Sequence, residues 1–233
     1  MVTPRYLRSG AKSTNVLFGA ARIARSFLYH GSVAVNTVGL TKGDRTRAAI
    51  LDEAARLATV VGLDGLSIGG LAKATGMSKS GLYAHFGSKG ELQLATIEAA
   101  RETFVAEVLR PALSAPRGIE RLRAACEAFL AHVERRVFPG GCFFSAAAAD
   151  VGTRPGPVRD SIVSQQRDWL ALLERLAAEA KELGELPPET DPTQLAFELQ
   201  ALLAAANTSF ILHGSAAVFA QAREAIRERL RLG

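Results

Sequence analysis

The side chains with most to offer a chemical partner gather between Ser67 and Lys89: Ser67, Ser78, Ser80, Tyr83, His85 and the lysines Lys79 and Lys89. They bring hydroxyl, imidazole and ammonium donors, groups suited to an anionic oxygen. They do not read as a catalytic set. His30, His85, His132 and His213 lie far apart, no H-E-x-x-H or glycine-rich phosphate loop occurs, and no serine sits in a G-x-S-x-G elbow. Cys126 and Cys142 have neither close spacing nor a partner histidine, so the sequence calls for no disulfide framework, metal or cofactor. Without a cationic neighbour such thiols read as small hydrophobes.

Short helices position the donors. Ile50, Ala54, Leu57 and Val61 recur at helical spacing along one face of a helix that starts at Asp44 and ends near Gly62. After a turn, Ser67 caps a second helix with Ile68, Leu71, Ala72 and Thr75 inward, and Gly76 stops it. Ser78 caps a third, which runs through Leu82, Tyr83 and Phe86 to Gly87, and Ser88 with Glu91 spells a capping box for a fourth. A helix ending in glycine, a tight turn and a short helix opening on small polar and basic residues is the helix-turn-helix pattern, whose second helix enters the major groove. Ser78, Lys79, Ser80 and Gly81 then stand where base edges are nearest, and Gly81 has no side chain to hold the backbone away. Leu82 and Phe86 turn to the core. This helix has no Arg, Asn or Gln, so bidentate base contacts worth about 1–3 kcal/mol each are missing. Lys79 is its only long polar reader, and groove shape and half-site spacing must carry part of the selectivity.

The 233 residues, 48% hydrophobic and 22% charged, suffice for one or two domains with their own core and exclude a collagen-like or disordered chain. No apolar run is read as reaching the roughly 18 uncharged residues of a spanning helix, so no membrane partner is expected. Sustained two-residue alternation is absent and Ala, Leu, Glu and Arg abound, which predicts an all-α fold. Breaks are expected at Pro111–Gly118, Pro139–Gly141, Gly152–Pro157, Gly184–Pro188 and His213–Gly214. Asp191, followed by Pro192, marks the start of a long helix. The net charge of +5 is concentrated: residues 1–43 hold six cations and no acid, leaving 22 cations against 23 acids over 44–233. Residues 1–43 read as a basic appendage: a flexible tail, an arm on DNA phosphates, or a targeting or membrane-surface helix. The expected organisation is this extension, a helix-turn-helix unit over 44–90 and a helical regulatory and dimerisation unit over 91–233.

The segment GMSKSGLYAHFGSKGEL, Gly76 to Leu92, resembles the signature of the tetracycline-repressor (TetR) family of bacterial transcription regulators, and the likeness extends back through Thr46 to Gly76. Gly140 to Leu170 resembles the regulatory domain of one branch of that family. The resemblance implies a cytoplasmic, nucleoid-associated homodimer on double-stranded DNA, a repressor that occludes a palindromic operator and is released by a small apolar effector. Ser67, Tyr83, His85 and Lys89 match family positions that hold phosphates, and Lys89 also stands at a helix start, where free N–H groups attract anions. For Ser67 and Ser78, capping is an equal reading, and the two roles coexist.

Phe104, Phe129, His132, Phe143, Phe144, Trp169, Asn207 and Phe210 mix aromatic bodies with a few polar tips, as a ligand pocket does and as plain core also does. Leu195, Leu199, Leu202, Ala206 and Phe210 form one apolar stripe, and Val218, Ala222, Ile226 and Leu230 another. The resemblance implies a four-helix dimer interface built from these two helices; the competing reading is intrachain core. The rival functions are an enzyme, for which no residue set emerges, and a helical interaction or small-molecule-binding protein without DNA binding.

Overall fold

Capping decides where the first described helix begins. The structure, a computed structural model, describes residues 41–230, and the expectations for residues 1–40 lie outside it. All elements among the described residues are helical, as the composition predicts. Helix α1 (Lys42–Val61) starts two residues before Asp44 because Thr41 caps it reciprocally: Thr41 Oγ1 accepts from the Asp44 N–H at 3.1 Å, and the Asp44 carboxylate accepts from the Thr41 N–H at 3.0 Å. The buried face of α1 is Ile50, Leu51, Ala54, Ala55 and Ala58, whereas Leu57 is half-buried and Val61 exposed. The expected stripe is rotated because three neighbours, α2 (Ile68–Thr75), α4 (Lys89–Phe104) and α7 (Phe143–Val151), pack on α1.

The Ser67 hydroxyl accepts from the Gly70 N–H to start α2, and Ser78 accepts from the Gly81 N–H to start α3 (Lys79–Phe86), both at 3.1 Å. Between them Gly76 takes φ +67°, the left-handed value that closes the turn. At α4 only half of the expected capping box forms. Ser88 accepts from the Glu91 N–H, but the Ser88 N–H already donates to the Phe86 carbonyl, and the Glu91 carboxylate lies beside Gly87.

Pro111 does not break the chain where expected. From α4 the backbone passes through a π-helical turn (Val105–Leu109) into α5 (Arg110–Ser114), and the break begins at Ala115. In a regular helix the proline ring would crowd the carbonyl four residues back; the wider i→i+5 turn ahead of it relieves that contact. The other breaks fall as the sequence indicates, giving α6 (Ile119–Glu134), α7, α8 (Pro157–Glu182), α9 (Pro192–His213) and α10 (Ala217–Leu230). Asp191 caps α9 through the Thr193 N–H at 3.0 Å.

Helices α8 and α9 pack along each other, α6 lies against both and against α10, and α7 bridges α8 and α1. The 135–142 loop docks on α1: the Gly140 N–H donates to Thr59 Oγ1 at 3.0 Å, and a Cβ there would stand 1.9 Å from the Thr59 carbonyl oxygen. Only glycine permits this approach.

Two expectations fail on α9 and α10. Leu195, Leu199, Ala206 and Phe210 on α9, and Ala222, Ile226 and Leu230 on α10, are buried within the single chain, so they are intrachain core and not a free interface; Leu202 and Val218 are half-buried. The stripe facing α8, α6 and α10 is the one that hydrophobicity marks out, whichever surface covers it. The second concerns length: Pro192–His213 is long and apolar enough to cross a membrane, contrary to the expected lack of such a run. One face of it, Leu195, Leu199, Leu203, Ala206 and Phe210, lies in the core beside the buried amide of Asn207, as in a core helix, while Phe197 and Leu212 stay exposed.

Candidate nucleic-acid interface and aromatic chamber

On α2 and α3 the apolar residues are consumed inward, and this pushes the polar ones out. Leu82 and Phe86 are buried, whereas Ser67, Ser78, Lys79, Ser80, Tyr83 and Lys89 are exposed, Tyr83 at 54%, and Gly81 and His85 half-buried. The structure brings several together. Ser78 Oγ and Ser80 Oγ are 3.2 Å apart at the start of α3, and the Lys79 Cε lies 3.5 Å from the Cβ position of Gly69 on α2, two residues from Ser67. Lys89 Nζ donates to the Asp64 carbonyl at 2.6 Å, which anchors the side chain and leaves its charge uncompensated. Residues 41–90 hold seven cations against four acids, a local excess hidden in the near-neutral balance of 44–233. Arg45 and Arg47 on α1 belong to it, both exposed; the Arg47 guanidinium sits 5.1 Å over the Phe86 ring. Neither stands directly after a helix cap, the feature by which the sequence marks out Lys79 and Lys89.

The α1–α2 turn is tied to α7. The Asp64 N–H donates to Asp150 Oδ2 at 2.9 Å, Arg154 pairs with the Asp64 carboxylate, and buried Gln93 Nε2 on α4 donates to the Leu63 carbonyl at 2.8 Å. Each of these bonds joins residues 30 or more apart in sequence, so pattern reading has no signal for them.

The other end of α7 enters an aromatic chamber. Phe104 from α4, Phe129 and His132 from α6, Phe144 from α7 and Trp169 from α8 meet with ring centroids 5.3–6.4 Å from Phe104, all edge-on. Phe129 stacks on Trp169 at 5.9 Å. Phe143 packs on Phe144 and Phe138 at the margin. Two candidates fall elsewhere: Asn207 Oδ1 accepts from the Cys142 N–H at 2.9 Å, and Phe210 lies on Phe219 and under the Arg136 guanidinium. The space between the rings is about 10 Å³, room for one water. Its lining includes three glutamines that hydrophobic patterning passed over, Gln165, Gln166 and Gln200.

Burial decides the ionisation here. His132, 1% exposed, has its pKa lowered to about 4 by desolvation, so it is neutral at physiological pH. Burial pushes the Cys126 thiol up to about 12 and raises that of Cys142, so neither is a reactive thiolate. A larger groove of about 310 Å³ between α6 and α10 carries Arg123, Arg223 and Arg227, each paired with a glutamate. Among the described residues no group of three His, Cys, Asp or Glu could hold a metal ion.

A three-helix unit that offers the capped start of its third helix and an excess of cations, continuous with a larger helical body, defines a helix-turn-helix DNA-binding regulator. Comparison with known proteins agrees. Residues 50–96 match the family model "Bacterial regulatory proteins, tetR family", and residues 118–226 match "Tetracyclin repressor-like, C-terminal domain". Among curated proteins the chain is 26% identical over 158 residues to the HTH-type transcriptional repressor ComR of Escherichia coli K12, covering 67% of this chain and 75% of ComR. Among solved structures it is similar to a TetR transcriptional regulator from Chloroflexus aurantiacus J-10-FL (TM-score 0.75, 25% identity, 81% of this chain and 96% of that one). It is also similar to AibR in complex with isovaleryl coenzyme A and operator DNA (TM-score 0.65, 27% identity, 80% and 98%). The chain belongs to the TetR family: it is a DNA-binding transcriptional regulator, and the relatives it matches are regulators, not enzymes.

Proposed function

We propose that the protein is a repressor that binds a palindromic operator as a homodimer and leaves it when a small, largely apolar effector enters the aromatic chamber. The observation that carries this reading is the outward presentation of Ser78, Lys79, Ser80 and Tyr83 on a helix whose Leu82 and Phe86 are locked in the core. In this reading residues 44–90 are the DNA-binding unit and 91–233 the regulatory and dimerising one. Lys79 with Ser78, Ser80 and Gly81 faces base edges; Ser67, Tyr83, His85 and Lys89 hold phosphates. The relative named as a repressor supports repression, and AibR, bound to an acyl thioester and operator DNA, supports a link between effector and operator. The setting is the bacterial cytoplasm, at the nucleoid.

The dimer contact is the outer face of α9, where Phe197 is 62% and Leu212 71% exposed, with Ala201, Ala205 and Thr208 between them. Small residues flanked by two large apolar ones allow the same helix of a partner to approach closely. The effector acts through two helices. Phe104 and Lys89 lie at opposite ends of α4, about 22 Å apart at 1.5 Å per residue, and Phe144 and Asp150 lie near opposite ends of α7. Displacing the rings shifts both helices, and half-sites about 34 Å apart tolerate little change in the spacing of two recognition helices.

The test is a titration of fluorescent duplexes from the gene's own upstream region at several salt concentrations, with stoichiometry read from the plateau. Two subunits per palindrome are expected. Lys79→Ala should relax base preference, whereas Lys89→Ala should weaken all sequences alike and reduce the salt slope by about one unit. Identical effects of the two substitutions on both measures would reject the division of base reading and phosphate holding between the two lysines.

A further inference from the structure

Three glutamines line the chamber, and two of them are already engaged. Gln166 Nε2 donates to the Phe144 carbonyl at 3.2 Å, and Gln200 Oε1 accepts the Trp169 indole N–H at 2.7 Å, so these amides brace the walls. Both are half-buried at the rim, as is Ser145. Gln165 differs. It is 1% exposed, lines the same space, and both its Nε2 and Oε1 have no hydrogen-bond partner. A buried amide without partners is costly to the fold, and evolution could remove that cost with a leucine or methionine of similar size. Its place beside Phe104, Phe129 and Trp169 in the lining is explained if a bound molecule supplies the missing partners.

We propose that Gln165 is the polar recognition group of the chamber, selecting an uncharged, flat, mostly apolar molecule whose polar end carries a donor and an acceptor side by side: a carboxamide, a lactam or an un-ionised carboxylic acid. A primary carboxamide offers the complementary pair, an N–H beside a carbonyl oxygen, so two parallel hydrogen bonds form at once. The apolar body lies against the stacked faces of Phe129 and Trp169 and the edge of Phe104. Charge is excluded because no acidic or basic side chain lines the space. With only about 10 Å³ open, such a ligand enters by displacing the rings, which couples its recognition to movement of α4 and α7. The proposal rests on the chamber being the effector site proposed above.

Trp169 is the only tryptophan of the chain, so its emission reports on this chamber alone. The experiment titrates the full chain, without DNA, with benzamide, toluene and, at pH 8, benzoate. Benzamide is expected to shift the emission saturably and to bind at least about tenfold tighter than either of the others, because a site built to hydrogen-bond rejects analogues that cannot do so. In Gln165→Met the advantage of benzamide over toluene should fall below about threefold while the melting temperature holds or rises; Gln165→Leu serves as the second variant. A retained benzamide preference in the variants, or equal binding of benzoate, overturns the role of Gln165. Toluene binding as well as benzamide overturns it too but leaves the chamber as an effector site. Silence of Trp169 toward all three probes, in a protein that still binds its operator, overturns both the proposal and the chamber reading beneath it.

Discussion

The helix-turn-helix unit and the aromatic chamber solve opposite problems with polar groups. In the former, the hydroxyls of Ser67, Ser78 and Ser88 each accept from the backbone N–H three residues on in the helix they start, and most of the polar side chains stay in water. In the latter, Gln165 and His132 keep buried nitrogen or oxygen atoms with no partner. Arg101, 3% exposed, similarly leaves Nε and Nη1 without a hydrogen bond, its ion pair with Glu98 being 3.7 Å long. Local satisfaction gives a unit that is ready to bind before its partner arrives. Unsatisfied burial leaves groups that a bound partner could satisfy, at a standing cost to the fold.

The contrast can be broken most severely through the small unit's core. Phe86→Ala removes a side chain 3% exposed and should cost about 3–5 kcal/mol, comparable with the whole stability of a unit this small. Operator binding should vanish while Trp169 emission stays native. Loss of both together, seen by parallel DNA titration and fluorescence, would mean that the two regions unfold as one.

Acid should act on the other side of the comparison. The folded pKa of His132 is lowered to about 4 from an ordinary value of 6.5, so between those pH values the unfolded chain holds a proton that the folded chain does not. Its contribution is present in full above pH 6.5 and is lost as pH falls toward 4, by about 3 kcal/mol at most. Urea unfolding midpoints followed over that window should drop in the native protein and drop less in His132→Leu. Equal slopes would show that another group carries the acid response.

The smallest effect expected is at the tie between the regions. Asp150→Ala deletes the acceptor of the Asp64 N–H, at a cost of about 1 kcal/mol in stability. It should leave operator affinity within about threefold, since the exposed donors of α2 and α3 are untouched, but, if the effector acts as proposed, narrow the gap between effector-free and effector-bound affinity. An unchanged gap would remove α7 from the route of transmission.

How much of the molecule is legible in its sequence follows the same division. Ser67, Ser78, Gly76 and Gly87 act within a few residues of themselves, so spacing alone places the first helices and their exposed donors. The missing half of the Ser88–Glu91 box already depends on a competitor, the Phe86 carbonyl, that no spacing rule contains. Aromatic content picks out Phe104, Phe129, Phe144 and Trp169, whose rings do meet, because large rings collect wherever helices meet. It misleads for Phe210, which packs on Phe219, and for the Leu195–Phe210 stripe, because apolar periodicity marks a buried face without saying which chain buries it. The interface proposed on Phe197 and Leu212 is visible only once that stripe is filled from within. Gln165 leaves no trace, since one of two adjacent glutamines amid polar neighbours on α8 looks like a solvated residue until four other helices close around it.

The π turn at Val105–Leu109 sits directly after the ring of Phe104 and before the seated Pro111. Such a turn is a place where a continuous helix can change direction without being interrupted. Val108 and Leu109 are buried and the turn packs on α6, so the joint is anchored there while the 16 residues of α4 run back from it to Lys89. If the effector acts as proposed, this is the point about which α4 would tilt, and the length of that lever sets the displacement at its other end.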